Sequence, residues 1–268
     1  MPIALVTGGG TGIGRQIALA LARRGYDVAV AGRRIEPLTT VVDELRTLGV
    51  RGVAIQADVT DAAERQALCD QVRTELGPLD VLVNNAAVLA AGAIEALPSD
   101  ELERAIGTNL TAPLDLTRRM LADLSERRGT VVMVASGAAN LPFPYLSLYS
   151  GTKAALAMCG EALRPELRAR GVRLLTAYPP FTATSMTAGL AEAAQAPWLR
   201  AMTPERVGEQ IVRALVAGRQ RYYCAWADWA LAQTARCTPG LVRRVLGWHS
   251  DRFRTVAEAR RMDDSNTT

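Results

Sequence analysis

Three polar side chains have the types and the spacing of a proton-transfer site. Ser136 follows an apolar run, Tyr149 lies thirteen residues later, and Lys153 lies four residues beyond Tyr149. Because residues four apart are neighbours on a helix, Tyr149 and Lys153 are expected on one helix face. Lys153 is the only lysine among 31 basic residues, the others being arginines. The ammonium of Lys153 is compact, whereas the guanidinium of an arginine is planar, so the two side chains would differ chemically at this position.

These residue types suit the reduction of a ketone or the reverse reaction. Hydride delivery to a carbonyl carbon leaves an alkoxide, which needs a hydrogen-bond donor and a proton. A free phenol has a pKa of about 10, too high for a group that must gain and lose a proton near neutrality. An ammonium about 4 Å away at an effective dielectric constant near 20 contributes about 4 kcal/mol. The sequence therefore predicts that Lys153 lowers the pKa of Tyr149.

A glycine-rich turn near the start of the chain predicts a dinucleotide site. The apolar run Ile3–Thr7 is typical of a buried strand, and glycines follow it at positions 8, 9, 10, 12 and 14. Such a turn lets backbone N–H groups approach a pyrophosphate. The N-terminus of the following helix favours the negative charge of that group.

The hydrophobic pattern alternates between short apolar runs and amphipathic stretches, which predicts an α/β fold. Continuous apolar runs are typical of parallel strands covered on both faces, and strand–helix–strand repeats imply right-handed crossovers. We therefore expect a doubly wound, mostly parallel seven-stranded sheet with helices on both faces and a C-terminal helical tail. The predicted strands are Ile3–Thr7, Asp27–Gly32, Val53–Asp58, Leu79–Asn84, Thr130–Ser136, Val172–Tyr178 and Arg221–Ala225, and the predicted helices cover 13–25, 36–48, 61–76, 99–124, 149–170 and 204–218.

The predicted domain organisation is a dinucleotide-binding catalytic domain over residues 1–218, with 219–268 as its last strand and extension. The apolar segment Pro179–Pro204 has no clear periodicity and is expected to be a loop or lid. The extension has nine arginines against five acidic residues and includes the tryptophans Trp226, Trp229 and Trp248. Within it, Leu241–Phe253 combines apolar and arginine side chains. This stretch either packs on a neighbouring subunit, roofs the substrate cleft, or lies on an anionic membrane surface.

Composition argues against several classes of protein. Four cysteines without CxxC spacing and a single histidine, His249, argue against a disulfide scaffold, a metal site and a Ser-His-Asp hydrolase. The net charge is +4, and its excess lies in the extension, so no nucleic-acid partner is expected. No apolar run is long enough to span a bilayer and no signal peptide is visible, so a cytoplasmic protein is expected.

Five separated motifs resemble, in order and spacing, those of the short-chain dehydrogenase/reductases. They are TGGGTGIG at Thr7–Gly14, NNAA at Asn84–Ala87, Asn109 within TNLTAP, Ser136 with YSGTK at 149–153, and PPFTAT at Pro179–Thr184. The resemblance covers about residues 3–218 and implies a Rossmann fold and a nicotinamide cofactor. Ala87 and Pro180 depart from the family pattern, which has glycine at both positions. Both departures fall where the family shapes its nicotinamide pocket.

The resemblance also implies a role for each matching residue. Ser136 would bind the carbonyl oxygen, Tyr149 would be the acid/base, and Asn109 would hold a water in a proton relay. Lys153 would hold the ribose hydroxyls and tune Tyr149. The implied cofactor-binding residues are Gly8, Thr11, Gly12, Ile13 and Gly14 at the pyrophosphate, Asp58 and Val59 at the adenine, Asn85 at the ribose, and Thr184 at the nicotinamide carboxamide.

The end of the second predicted strand favours NADP(H) over NAD(H). An acidic residue there would accept hydrogen bonds from the adenosine ribose of NAD, but Gly32 occupies the place. Arg33 and Arg34 follow directly and can meet a 2′-phosphate with charge-assisted hydrogen bonds. Arg15, just after the glycine-rich turn, is a further candidate for the same phosphate.

The predicted partners are a small, apolar carbonyl or alcohol substrate and further copies of the chain. A substrate-pocket wall is expected from apolar residues between Ser136 and Tyr149, namely Leu141, Phe143, Tyr145 and Leu146. The resemblance implies a homodimer or homotetramer built on helices 99–124 and 149–170. Two other functions stay open: a membrane-peripheral reductase of a lipid ketone, and a non-catalytic dinucleotide-binding sensor. The intact set of Ser136, Tyr149 and Lys153 argues against the sensor.

Overall fold

The computed structural model describes residues 1–187 and 201–265, and its centre is one parallel sheet. Seven strands pair in the order β3-β2-β1-β4-β5-β6-β7. This confirms the predicted doubly wound α/β fold. The strands are β1 (Ile3–Thr7), β2 (Asp27–Gly32), β3 (Gly52–Gln56), β4 (Val81–Asn84), β5 (Thr130–Val134), β6 (Arg173–Tyr178) and β7 (Arg221–Tyr223).

Eleven α-helices are assigned within the described ranges. They are α1 (Gly12–Ala22), α2 (Ile35–Thr47), α3 (Ala62–Glu75), α4 (Ser99–Ile106), α5 (Ala112–Arg119), α6 (Leu121–Glu126), α7 (Ser147–Ala169), α8 (Pro204–Val216), α9 (Trp226–Cys237), α10 (Pro239–Trp248) and α11 (Ser250–Ser265). Helices α9–α11 form the predicted C-terminal helical tail. No helix in the described parts of the chain is both long and apolar enough to cross a membrane.

Both faces of the sheet are buried, which explains why its strands are continuous apolar runs. Along β1, Val6 belongs to one apolar core and Leu5 to the other, since successive strand side chains point to opposite faces. The first core includes buried side chains of α1, α2 and α8. The second includes those of α3, α5 and α7. Burying one Val, Leu or Ile side chain stabilises the fold by about 1.5–3 kcal/mol.

The single helix predicted over 99–124 is wrong, because the structure divides this stretch into α4, a π-helical turn at 107–111, α5 and α6. Pro113 has no N–H to donate to the carbonyl of Asn109, so the ordinary hydrogen-bond ladder cannot continue there. The wider turn places Asn109, whose side chain is fully buried, between the two helices. Such π turns are frequent at functional sites.

The segment predicted as a loop or lid over Pro179–Pro204 falls partly outside the described residues. Within it, 185–187 form a short 3-10 helix and Thr182 bridges to Met202. Residues 188–200 are outside the description. Met202, the partner of Thr182 in this bridge, lies two residues before α8.

A buried ion pair holds α3 against α5. Arg65 on α3 donates from Nε to Asp115 on α5 at 2.7 Å, and the Arg65 side chain is buried. The Nη1 of Arg65 also donates to the carbonyl oxygens of Val59 at 2.7 Å and Thr60 at 3.0 Å. One guanidinium therefore links the loop that follows β3 to the helix that follows the π turn.

The Asp115 carboxylate is surrounded by cations. Burial alone would raise the pKa of Asp115, but hydrogen bonds from Arg119, Arg65 and Arg118 hold it well below the usual range. The folded protein therefore keeps Asp115 ionised at pH values where the unfolded chain has begun to protonate it. This contribution to stability is fully present above the unfolded pKa of about 4 and is lost as the pH falls toward the folded value.

Asp115→Asn should destabilise the fold by about 3 kcal/mol at pH 7, because it leaves the buried Arg65 without a counter-charge. Because the wild-type ion pair itself weakens in acid, the difference between the two proteins should shrink at pH 3. Urea unfolding at the two pH values measures both effects. The matched control is Asp43→Asn, which removes an exposed pair with Arg46 and should cost less than about 1 kcal/mol. Equal losses for the two variants would contradict the assignment.

Candidate active site

The candidate site lies at the carboxyl edge of the sheet, where the chain leaves β1 and β4 in opposite directions. In an open α/β sheet this reversal of strand order creates a crevice for ligands. A cleft occupies it and extends along the ends of β2 and β3. Its lining residues are Gly8, Gly10, Thr11, Gly32, Arg33, Arg34, Pro37, Leu38, Ala57, Asp58, Val59, Thr60, Ala86, Ala87, Val88, Arg104 and Thr108.

The turn between β1 and α1 depends on glycine at several positions. Gly8 and Gly12 have φ values of +62° and +53°, in the left-handed region that favours glycine. A Cβ on Gly14 would lie 2.1 Å from the carbonyl oxygen of Gly8 and 2.5 Å from Nδ2 of Asn85. No side chain fits there, so the turn and the start of α1 are pressed against the segment that follows β4.

The start of α1 suits an anionic group. Thr11 precedes the helix in an extended conformation, its side chain makes no capping hydrogen bond, and the first turn carries no acidic residue. The N–H groups and the positive end of the helix dipole therefore face the cleft without a competing carboxylate. Ile13 packs against the core and anchors the turn. These residues fit the pyrophosphate of a dinucleotide, as the glycine pattern predicts.

The far end of the cleft carries opposite charges in a fixed arrangement. Asp58 accepts hydrogen bonds from the backbone N–H and the hydroxyl of Thr60, both at 2.8 Å. Burial would raise the pKa of Asp58, but these bonds and the charges of Arg33 and Arg104 lower it below its ordinary value. Arg33 and Arg34 are exposed and form no ion pair with any described residue. Their guanidinium groups are placed to meet an anionic ligand.

Ser136, Tyr149 and Lys153 come together just beyond the end of β5. Ser136 begins the short 3-10 helix 137–140, and its hydroxyl accepts the N–H of Ala138 at 3.1 Å. Tyr149 and Lys153 share one face of α7, and the Ser136 side chain lies close enough to Tyr149 to lower its pKa. The Lys153 ammonium is buried and donates to the carbonyl oxygen of Val134 at 2.8 Å.

Burial and the Ser136 side chain act in opposite directions on the pKa of Tyr149. Burial raises the pKa of Tyr149, and the hydrogen bond with Ser136 opposes only part of that rise. Lys153 makes its hydrogen bond to the carbonyl of Val134, and burial lowers the pKa of its own ammonium to about 8. Lowering of the Tyr149 pKa by Lys153 stays a prediction.

The remaining predicted residues bridge the segments around the cleft. Asn109 accepts the N–H of Val88 and donates to the carbonyl of Val88, both at 2.9 Å, and also donates to Thr152 on α7 at 3.1 Å. Thr184 lies against the glycine-rich turn, its Cγ2 being 3.1 Å from the position of a Cβ on Gly12. Asn109 is therefore an anchor between loop and helix, and its role in a water relay stays a prediction.

Two residues near the site carry no signal in the sequence, and one predicted residue is engaged elsewhere. Arg104 on α4 lines the cleft opposite Asp58. Asp228 on α9 places a carboxylate oxygen 3.0 Å from where a Cβ on Gly137 would lie, and burial raises its pKa. Arg15, expected near the cofactor phosphate, instead pairs with Glu44 at 2.6 Å, because that carboxylate lies on the adjacent α2.

No group of three or more potential metal ligands occurs among the described residues.

Comparison with known proteins identifies the family of the chain. The family model for short chain dehydrogenases matches residues 2–195. The chain belongs to the short-chain dehydrogenase family. The protein is therefore an oxidoreductase. Members of its family bind a nicotinamide dinucleotide.

Several relatives cover about four-fifths of the chain. The short-chain dehydrogenase is 34% identical to a 3-oxoacyl-(acyl-carrier-protein) reductase of Staphylococcus aureus over 209 residues, covering 77% of this chain and 85% of that protein. It is 34% identical to a glycine betaine reductase of Emericella nidulans over 221 residues, which are 80% of this chain but only 17% of that protein. A variant of actinorhodin polyketide ketoreductase, solved with NADPH, superposes with a TM-score of 0.76 at 30% identity, covering 83% of this chain and 94% of that one.

Lys153→Arg should damage the short-chain dehydrogenase although it conserves charge. The site of Lys153 is closed, and the larger planar guanidinium cannot repeat the bond to Val134 without displacing its neighbours. We expect a stability loss of about 1–3 kcal/mol and weaker dinucleotide binding, measured by thermal unfolding and by titration with the cofactor. Arg168→Lys, an exposed swap on the same helix, serves as control. Wild-type stability and affinity in Lys153→Arg would refute the assignment.

Proposed function

We propose that this short-chain dehydrogenase interconverts a ketone and a secondary alcohol, using NADP(H) and Tyr149 as the acid/base. The observation that carries the proposal is the approach of the Ser136 side chain to Tyr149, with the buried ammonium of Lys153 on the same face of α7 as Tyr149. Two hydroxyl donors at one place are what a developing alkoxide requires. The neighbouring cleft supplies a place for the dinucleotide. A bound nicotinamide would supply or accept the hydride.

The proton chemistry follows from burial. Because the pKa of Tyr149 is raised, its phenol is protonated at neutral pH and is a hydrogen-bond donor toward a carbonyl oxygen. Ser136 is placed to donate to the same oxygen. A charged lysine has three N–H donors, and Val134 occupies one of those of Lys153. The other two are available for ribose hydroxyls, which is the role that the family resemblance implies.

The preference for NADP(H) rests on the charges at the end of β2. Gly32 offers no carboxylate to an adenosine ribose, and Arg33 and Arg34 line the cleft next to it. A 2′-phosphate there would be met by guanidinium groups that lack an ion-pair partner in the described structure. Arg104 adds a third positive charge from the opposite wall. The ketoreductase that the chain resembles was solved with NADPH, which supports the same choice.

We propose an apolar carbonyl compound as the substrate class. Leu141 is buried after the 3-10 helix 137–140, and the ring of Phe143 lies 5.5 Å from that of Phe253 on α11. The wall between Ser136 and Tyr149 is therefore apolar and is backed by the tail. The relatives' names, a 3-oxoacyl reductase and a polyketide ketoreductase, support carbonyl reduction on acyl chains.

We also propose a homodimer or homotetramer built on α4–α6 and α7. Ile106 and Met158, on these elements, are exposed apolar side chains that a second copy would cover. Gly151 on α7 allows close approach, because nothing lies within 4 Å of where its Cβ would be. A monomeric mass by light scattering at micromolar concentration would reject this proposal.

Tyr149→Phe should lower kcat by about 100-fold or more while cofactor affinity stays within a few-fold, because only the proton donor is removed. The readout is nicotinamide absorbance with a panel of acyl, aromatic and steroid-like ketones. Tyr26→Phe is the matched control, since Tyr26 precedes β2 at the opposite edge of the sheet. Retention of more than about a tenth of the wild-type kcat would remove Tyr149 from the mechanism.

The wild-type enzyme should prefer NADPH over NADH by at least about tenfold in kcat/KM, which corresponds to about 1.4 kcal/mol. Arg33→Ala should erase most of that preference by weakening NADPH, with NADH nearly unchanged. Arg170→Ala, an exposed arginine before the start of β6, controls for general loss of charge. Equal efficiency of the wild type with both cofactors would defeat the proposal.

A further inference from the structure

The C-terminal helices leave large apolar side chains at the surface while being fixed to the body. Trp226 on α9 is 80% exposed, and Trp248 and Leu241 on α10 are 75% and 57% exposed. Helix α9 packs against the 3-10 helix 137–140, and Phe253 on α11 contacts Phe143. The exposed side chains therefore lie on helices that pack against the rest of the fold. Large apolar side chains grouped at a surface are typical of a binding site.

One face of α10 gathers the apolar groups. Leu241, Val245 and Trp248 are at positions i, i+4 and i+7 and are all exposed, so they form a stripe along one side of the helix. Val242, on another side, is buried against the protein. We call Leu241, Val245 and Trp248 the α10 face. One side of α10 therefore packs against the protein through Val242, while another side leaves the α10 face exposed.

The helix that carries the α10 face has two cationic side chains and no acidic one. Arg243 and Arg244 lie on the same helix, are exposed, and form no ion pair with any residue that the structure describes. Arg244 precedes Trp248 by one turn. From residue 229 to residue 250 the sequence contains no acidic residue at all. An anionic partner would therefore meet uncompensated positive charge next to apolar side chains.

We propose that the α10 face binds an anionic lipid surface. Leu241 and Val245 would enter the boundary between headgroups and acyl chains, and Trp248 has the amphipathic ring that favours that boundary. Arg244, one turn before Trp248, would meet the lipid phosphates, and Arg243, on the other side of the helix, would add to the long-range attraction. The helix would lie in the plane of the membrane surface rather than cross it. This proposal does not depend on the reaction proposed above.

Charge favours lipid over a second copy of the chain. A two-fold interface brings the same patch of both copies together. On the α10 face this would bring Arg244 of the two copies into one region, where the nearest acidic residue after the helix, Asp251, is already paired with Arg254. A membrane rich in anionic headgroups removes that repulsion and covers the apolar stripe as well.

The test is sedimentation of the full chain with lipid vesicles. We expect binding to vesicles of phosphatidylcholine with about a third phosphatidylserine, little binding to phosphatidylcholine alone, and release as salt is raised, because screening weakens the arginine contacts. Absence of binding to the anionic vesicles, or equal binding to both compositions, would overturn the proposal.

Paired variants assign the binding to α10. Arg243→Gln with Arg244→Gln, and separately Trp248→Ala, should each reduce vesicle binding at least about tenfold. Arg168→Gln with Arg170→Gln, two exposed arginines at the end of α7, and Ile94→Ala, an exposed apolar residue, are the matched controls and should leave binding unchanged. Equal losses in controls and α10 variants would overturn the assignment. Loss of oligomer mass in light scattering for the α10 variants would instead identify a second copy as the occupant.

Discussion

The hydrogen-bonded junction between β1 and β4 is the constraint on which the candidate site depends. The Thr7 hydroxyl donates to the carbonyl of Val83 and accepts the N–H groups of Asn85 and Ala86. The Asn85 side chain donates in turn to the carbonyl oxygens of Thr7 and Gly8. Strand order reverses between these two strands, so the junction fixes both walls of the crevice. The glycine-rich turn can approach so closely only because this network holds it there.

Burial shifts the pKa values of two groups beside that crevice. Lys153 is the chain's only lysine, and it is buried with one hydrogen bond to Val134. Tyr149, four residues earlier, also has the pKa shift of a desolvated group. Both shifts favour the neutral form, since taking a charge out of water costs free energy. A protonated phenol next to the Ser136 hydroxyl is what a reductase needs before hydride transfer.

The arginines serve two different surfaces. Arg33 and Arg34 face the concave cleft at the end of β2, where one compact anion can be met from several sides. Arg243 and Arg244 lie on an exposed helix beside apolar side chains, a shape that suits an extended anionic surface. The tail also contacts the segment between Ser136 and Tyr149, since α9 packs against the 3-10 helix 137–140 and α11 contacts Phe143.

The sequence by itself determined the features that depend on local spacing. Continuous apolar runs identified the buried parallel strands, the glycine pattern identified the turn before α1, and four-residue spacing placed Tyr149 and Lys153 on one helix face. Only the tertiary structure decided that the helix predicted over 99–124 is broken at Asn109, and that Arg104 and Asp228 reach the site. Burial, and contacts between residues far apart in the sequence, depend on atoms from several distant elements. A local sequence pattern therefore does not contain them.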